Sequence, residues 1–291
     1  MVKRVILFVF ILSGIQVKSI VCFAQKKRID IYLIGGQSNA TGQGYLKNLP
    51  QDFKIDTSVL IFHSGKPHLN SGAKPLTWHP LRQASESPDR FGPELGFGNR
   101  IKKLRPKRNI AIIKHAHSGT NLYSQWNPGS TERDTIIWGA QYTAFVKTVN
   151  AGIEELRKQG YQVTIKGMLW QQGESDADRI EKSSEYGQNL ARFILRVRQQ
   201  FEVPKMKFVY GYIYPPPTTG PGPENVRKAQ HDIAQKSKTS LSVKRAILVE
   251  TDDLNHRAND PNSPHPNDHI HFGTLGTLQL GIRMADAMMN K

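Results

Sequence analysis

Two segments at opposite ends of the chain carry side chains suited to acyl transfer. Near the start, Gly35-Gly36-Gln37-Ser38-Asn39 directly follows the apolar run Ile29 to Ile34. Glycines before a serine let the chain turn sharply, so the hydroxyl stands at the top of a sheet with backbone N–H groups beside it. Near the other end, Asn267-Asp268-His269-Ile270-His271-Phe272-Gly273 places Asp268 and His271 three positions apart. In a turn the carboxylate accepts from His271 Nδ1–H and leaves Nε2 to take the serine proton, a role usually worth ~10²–10⁴ in rate. Ser38 is therefore the candidate nucleophile, His271 the candidate base and Asp268 the acid that orients it.

Two further segments offer oxyanion donors. In His117-Ser118-Gly119-Thr120-Asn121, Gly119 can aim its N–H at a developing oxyanion. In Trp170-Gln171-Gln172-Gly173-Glu174-Ser175-Asp176, the uncharged amide of Gln172 can donate without adding net charge. Glu174 and Asp176 could pair with Arg179, and Asp176 is expected to cap the next helix. The glycine turn at Ser38 also admits a helix cap or a phosphate loop, but neither a Lys beside the serine nor the G-x-G-x-x-G spacing is present. His256, His265, His269 and His271 raise a metal alternative. Only His265 and His269 have helical spacing, and Pro266 between them argues against a helix. His115 and His117 are expected to be packed or solvated.

These segments need a scaffold that brings both ends of the chain to one place. Short β-branched runs alternate with helical patterns, the signature of a parallel sheet covered by helices. Strands are expected at 29–34, 58–63, 109–114, 163–170, 207–212 and 245–250. Helices are expected where Tyr142, Phe145, Val146, Val149, Ile153 and Leu156 share a face, and where Tyr186, Leu190, Phe193, Ile194 and Val197 do so. A terminal helix is read from Leu275, Leu278, Ile282, Ala285 and Met289. Pro215 to Pro223 reads as a stiff loop. The long irregular stretch from Gly65 to Gly92 holds Trp78, His79, Arg90 and Phe91, which either line a cleft or anchor the loop to the core.

Lys3 and Arg4, the apolar run Val5 to Leu12 and a small residue at Ala24 read as a signal peptide over 1–24, implying a secreted or periplasmic protein. Lipidation at Cys22 and an uncleaved anchor are the alternatives. Cys22 is the chain's only cysteine, so cleavage leaves no disulfide, no thiolate nucleophile and no Cys-ligated zinc. Residues 25–291 are expected to form a single domain with no stable membrane span. The net charge of +16 comes without basic runs interleaved with aromatics, so nucleic acid is not an expected partner. An anionic polysaccharide or envelope is one reading of that charge, and an indifferent basic surface is the other.

Taken together, the segments resemble the SGNH (GDSL-like) hydrolase superfamily, in the branch of sialate O-acetylesterases and family 6 carbohydrate esterases. The marks are G-Q-S-N at Gly36 to Asn39, G-P-E at Gly92 to Glu94, S-G-T at Ser118 to Thr120, W-Q-Q-G-E-S-D at Trp170 to Asp176, D-x-x-H at Asp268 to His271 and L-G-x-R-x-A at Leu280 to Ala285. The resemblance implies a three-layer α/β/α sandwich with a mainly parallel, flavodoxin-like sheet. It also implies a Ser38–His271–Asp268 triad, with an oxyanion hole from the Ser38 and Gly119 amides and the Gln172 side chain. Gln37, Asn39, Glu174, Trp78 and Arg90 are candidates for support or substrate contact. The expected activity removes O-acetyl groups from a polysaccharide or sialic acid without metal or organic cofactor. A non-catalytic carbohydrate-binding protein and a metal-dependent hydrolase are the alternatives.

Overall fold

Strand β1 (Arg28–Gly36) is buried from its second residue to its last, as an apolar strand must be when both faces of its sheet are covered. The computed structural model describes residues 27–64, 74–131, 133–213 and 220–290; the expected signal peptide lies outside them. After β1 come β2 (Gly44–Tyr45), β3 (Leu60–His63), β4 (His79–Pro80), β5 (Arg90–Phe91), β6 (Asn109–Lys114), β7 (Gln162–Gln171), β8 (Lys207–Gly211) and β9 (Ala246–Val249). Seven of them form one sheet in the order β4-β3-β6-β1-β7-β8-β9. Its pairings are parallel except at the edge, where β4 runs antiparallel to β3. β2 and β5 form a separate antiparallel ribbon.

Alternation along β1 divides the interior into two cores. Ile29, Ile31 and Leu33 face α3 (Ala140–Lys158), α4 (Ile180–Gln200) and α5 (Pro221–Ile233). Tyr32 and Ile34 face α2 (Glu94–Leu104) and α6 (Thr274–Met289) on the other side. The result is the expected three-layer sandwich. Its strand order reverses direction beside β1, and the crevice outside the strand C-termini at such a switch point is where open α/β sheets place their ligands.

Two helices longer than a single turn escape the periodicity reading. α2 is one. The other, α5, begins at Pro221, so Pro221 to Pro223 are its first turn and not loop; Pro fits there because its missing N–H has no intrahelical partner in any case. Pro215 to Thr219 lie outside the described residues. The face of α6 is also turned from its expected setting. Leu275 is 51% exposed, and the buried side runs through Leu278, Leu280, Gly281, Met284, Ala285 and Met288. Glycine explains the difference. A Cβ on Gly281 would sit 2.3 Å from Pro93 O, and one on Gly96 would sit 2.2 Å from Leu278 O. α6 therefore meets α2 backbone to backbone, a contact that hydrophobic spacing does not register.

Candidate active site

The turn after β1 is built for glycine. Gly36 has φ +134, and a Cβ there would lie 2.1 Å from Gln171 O. Gln37 N then donates to Gln171 O at 2.9 Å, and the chain enters the four-residue helix α1 (Ser38–Thr41). The Ser38 amide, at the helix start, has no acceptor among the described residues. Thr41 Oγ1 and Gly42 N both bond Ser38 O, at 2.8 and 2.9 Å, which fixes the turn from behind.

His271 Nε2 stands 2.9 Å from Ser38 Oγ across 233 residues of sequence. Its Nδ1 lies 2.9 Å from Asp268 Oδ2 and 3.1 Å from Oδ1, the arrangement in which Nδ1 carries the proton and Nε2 accepts from the serine. Asp268 also accepts from the Ile270 and His271 amides at 3.2 and 3.0 Å. Burial alone would raise the Asp268 carboxyl, but the His271 ring, its amide and the Ile270 amide hold it well below the usual carboxylate range. The ring is therefore oriented by a carboxylate that stays ionised.

Asn39 secures the base. Its Oδ1 accepts from Phe272 N at 2.9 Å and its Nδ2 donates to Ile270 O at 3.2 Å, so one side chain grips the backbone on both sides of His271. Nδ2 also donates to Glu174 Oε1 at 2.8 Å, which sets the amide's orientation. Burial raises the Glu174 carboxyl against the opposing effects of its own backbone and Asn39. Gln37 acts as a hub for the loop after β7, its Oε1 accepting from Gly173 N, Ser175 N and Gln172 Nε2 at 3.1–3.3 Å.

Gln172 does not sit as the expected oxyanion donor. It is fully buried, and its two N–H groups face Gln37 Oε1, Thr120 O and Asp176 Oδ2. The donors are already used in joining three loops. Asp176 caps no helix. It accepts from Leu122 N at 2.8 Å and Tyr123 N at 2.9 Å, tying the loop after β6 to the loop after β7. Burial pushes its carboxyl up to about 6, against those hydrogen bonds. Gly119 has φ +70, is exposed and has open space where a Cβ would be. Its N–H has no acceptor among the described residues.

Trp78 does not line the cleft. Its indole N–H donates to Gly152 O at 3.1 Å and its ring lies 5.2 Å from Phe62, so it anchors its loop to α3. Arg90 bonds Gln43 Oε1 at 2.9 Å and lies over the Tyr45 ring, which joins it to the triad through a residue that spacing missed. That residue is Arg257. It is 5% exposed, with Nη1 3.1 Å from Asp268 Oδ2 and Nη2 2.6 Å from the Tyr45 hydroxyl. Its own amide donates to His271 O at 2.8 Å. Glu86 was also missed. Both its oxygens accept from Ser118, one from the amide and one from the hydroxyl, holding the Gly119 turn beside α1.

The G-P-E mark proves to be support beneath the nucleophile. Glu94 and Lys114 form an ion pair of 2.6 Å with both side chains fully buried. Lys114 Nζ also donates to Thr41 O, at the end of the Ser38 turn, at 2.8 Å. Burial lowers the Lys114 ammonium and Glu94 pulls it back up. His115 is packed, bonding Gln141 beside Trp126, and burial brings it down to about 4. Among the described residues no group of three or more His, Cys, Asp or Glu could hold a metal ion.

A sequence profile described as carbohydrate esterase, sialic acid-specific acetylesterase, matches residues 28–290. A probable carbohydrate esterase of Arabidopsis thaliana is 25% identical over 286 residues, covering 89% of this chain and 90% of the plant protein. A solved Arabidopsis thaliana structure superposes with a TM-score of 0.65 at 24% identity, covering 89% of this chain and 97% of that one. The structure of NanS gives 0.62 at 16% identity, with 91% and 97% covered. A carbohydrate acetylesterase from Xanthomonas citri gives 0.57 at 16% identity, with 89% and 55% covered. The structural likenesses, all below 25% identity, bear on the fold.

Proposed function

The chain belongs to the carbohydrate esterase family of sialic acid-specific acetylesterases and is a carboxylic ester hydrolase acting on carbohydrate; from that premise we propose that it removes O-acetyl groups through an acyl-enzyme on Ser38. The observation that carries the mechanism is the continuous hydrogen-bonded line from Ser38 Oγ through His271 to Asp268. As Ser38 attacks the acetyl carbonyl, His271 Nε2 takes its proton, and Asp268 stabilises the imidazolium that forms. The Ser38 and Gly119 amides receive the negative oxygen, and Gln172 keeps the loops carrying them in register. His271 then returns the proton to the leaving sugar oxygen. Water, deprotonated by the same Nε2, releases acetate from Ser38 and restores the enzyme.

The substrate class is an acetylated sugar, either a polysaccharide or an O-acetylated sialic acid. Export is part of the proposal and rests on the basic and then apolar order ahead of Ala24. No helix among the described residues is long and apolar enough to cross a membrane. The test compares wild type with Ser38→Ala on p-nitrophenyl acetate, acetylated xylan and O-acetylated sialic acid. Acetate release by wild type alone is expected, with the larger kcat/KM naming the substrate. Equal rates in the two proteins would sink the serine mechanism.

A further inference from the structure

The chain holds 40 Lys and Arg against 24 Asp and Glu, and the fold does not spread that excess evenly. Segments entering parallel strands all lie at one pole of a sheet, here the pole opposite Ser38 and His271. Those entering β1, β3, β6, β7, β8 and β9 are residues 27–28, 52–59, 102–108, 157–166, 198–207 and 236–245. They hold 18 Lys and Arg and three acids, Asp52, Asp56 and Glu202. At this pole lies an open recess of about 500 Å³, rimmed by Arg105, Lys166, Lys205, Lys207 and Arg245, with no acidic side chain in its lining. Burial first, and Arg245 second, lower Lys207 and bring Arg198 down to about 10, consistent with like charges crowded together. Lys103, Lys107, Lys205 and Lys244 are exposed and form no ion pair among the described residues.

We propose that this basic pole docks on an anionic phospholipid surface, leaving the catalytic pole turned toward solution. Charge complementarity is the first argument. Each Lys or Arg held near such a surface is worth roughly fivefold in affinity. The second is the lining of the recess, where Ile165, Val203, Pro204 and Met289 are apolar and at least partly exposed. Tyr32, the one aromatic residue in the lining, is 3% exposed and offers no face for a sugar ring to stack on.

The experiment is co-sedimentation of the full chain with vesicles of phosphatidylcholine alone and with about 30% phosphatidylglycerol, at low and high salt. Three proteins are compared: wild type, Lys103→Glu/Lys205→Glu/Lys244→Glu, and a control reversing Lys47, Arg133 and Arg179 to Glu near the catalytic pole. All three are checked for folding by thermal melting, so the result stands apart from the esterase reading. The wild type should bind the anionic vesicles at least ~10-fold tighter than neutral ones, and high salt should erase the difference. The basic-pole variant should lose that preference while the control keeps most of it. Equal binding to both vesicles overturns the proposal, as does an equal loss in the control. Tighter binding to soluble polygalacturonate than to the anionic vesicles, lost in the basic-pole variant, overturns it in favour of a polysaccharide surface.

Discussion

Replacing Arg257 by Met removes the guanidinium from Asp268 while keeping an apolar side chain of similar length. Asp268 would retain three donors: the His271 ring and the amides of Ile270 and His271. Asp268 loses one charged hydrogen bond of 3.1 Å between side chains only 6% and 16% exposed, and the Tyr45 hydroxyl and Gln43 Oε1 lose their Arg257 partner with it. Such a bond contributes about 1.5–3 kcal/mol. If all of it acts through the placement of the His271 ring, kcat falls roughly 10- to 100-fold at ~1.36 kcal/mol per decade. KM should stay within about threefold, because Arg257 acts through Asp268 and not on the sugar. Tyr45→Phe removes only the 2.6 Å bond that steadies Arg257 and should cost less than tenfold. The assay is steady-state hydrolysis of p-nitrophenyl acetate, with a thermal melt to show that each variant is folded. A folded Arg257→Met enzyme with kcat within twofold of wild type, or with a rise in KM alone, refutes the positioning role.

The remaining predictions follow from the same contacts. Asn39→Asp replaces two N–H donors by an acceptor facing Glu174 and Ile270 O, so kcat should fall at least ~10-fold while the fold is kept; unchanged turnover would remove Asn39 from the support of His271. Lys114→Met leaves the Glu94 charge buried with only the Ala84 and Gly92 amides as partners, at a cost of about 3–5 kcal/mol, and Lys114→Met/Glu94→Gln, which keeps that acceptor without its charge, should recover much of the melting temperature. A single variant as stable as wild type counts against the ion pair's role. Two pH effects oppose each other. Asp176, with its pKa raised to about 6, binds its proton more tightly when folded, so it removes stability as pH rises from about 4 to 6. His115, lowered to about 4, is neutral when folded, so its contribution is present above about 6.5 and lost as pH falls toward 4. The melting temperature of Asp176→Asn should therefore rise with pH across this window relative to wild type. That of His115→Gln should fall relative to wild type, and parallel pH curves for all three proteins would refute both assignments.

The sheet was readable because its strands are apolar on both faces, and the triad segments because glycine turns and a D-x-x-H turn need only local geometry. α6 was placed but misrotated: Gly276 and Gly281 lie on its inner face, and glycine carries no hydrophobic signal. α5 hid behind Pro221 and Pro223, which read as breakers although Pro fits a helix's first turn. Arg257 and Glu86 could not be reached by spacing. Each meets its partner through the packing of loops, Arg257 touching Asp268 across eleven positions and Glu86 touching Ser118 across 32. Asn255-His256-Arg257 pairs by backbone with the triad loop, a pairing between two irregular segments that leaves no periodic mark in the sequence. Gln172 went the other way. Its position suggested a donor, and only the neighbouring Asp176 and Thr120 carbonyl revealed that its hydrogens were already engaged.

The grip of Asn39 on the backbone around His271 also bears on when the site comes into being. It closes a loop of about 230 residues, among the longest the chain can form, and contacts of that span come late because their closure entropy must be overcome before they are rewarded. Neither Ser38 nor the base can be set until α6 has settled against α2, the last helix in sequence on one of the first. A chain emerging from synthesis therefore carries an unarmed serine, and hydrolysis begins only with the final docking event.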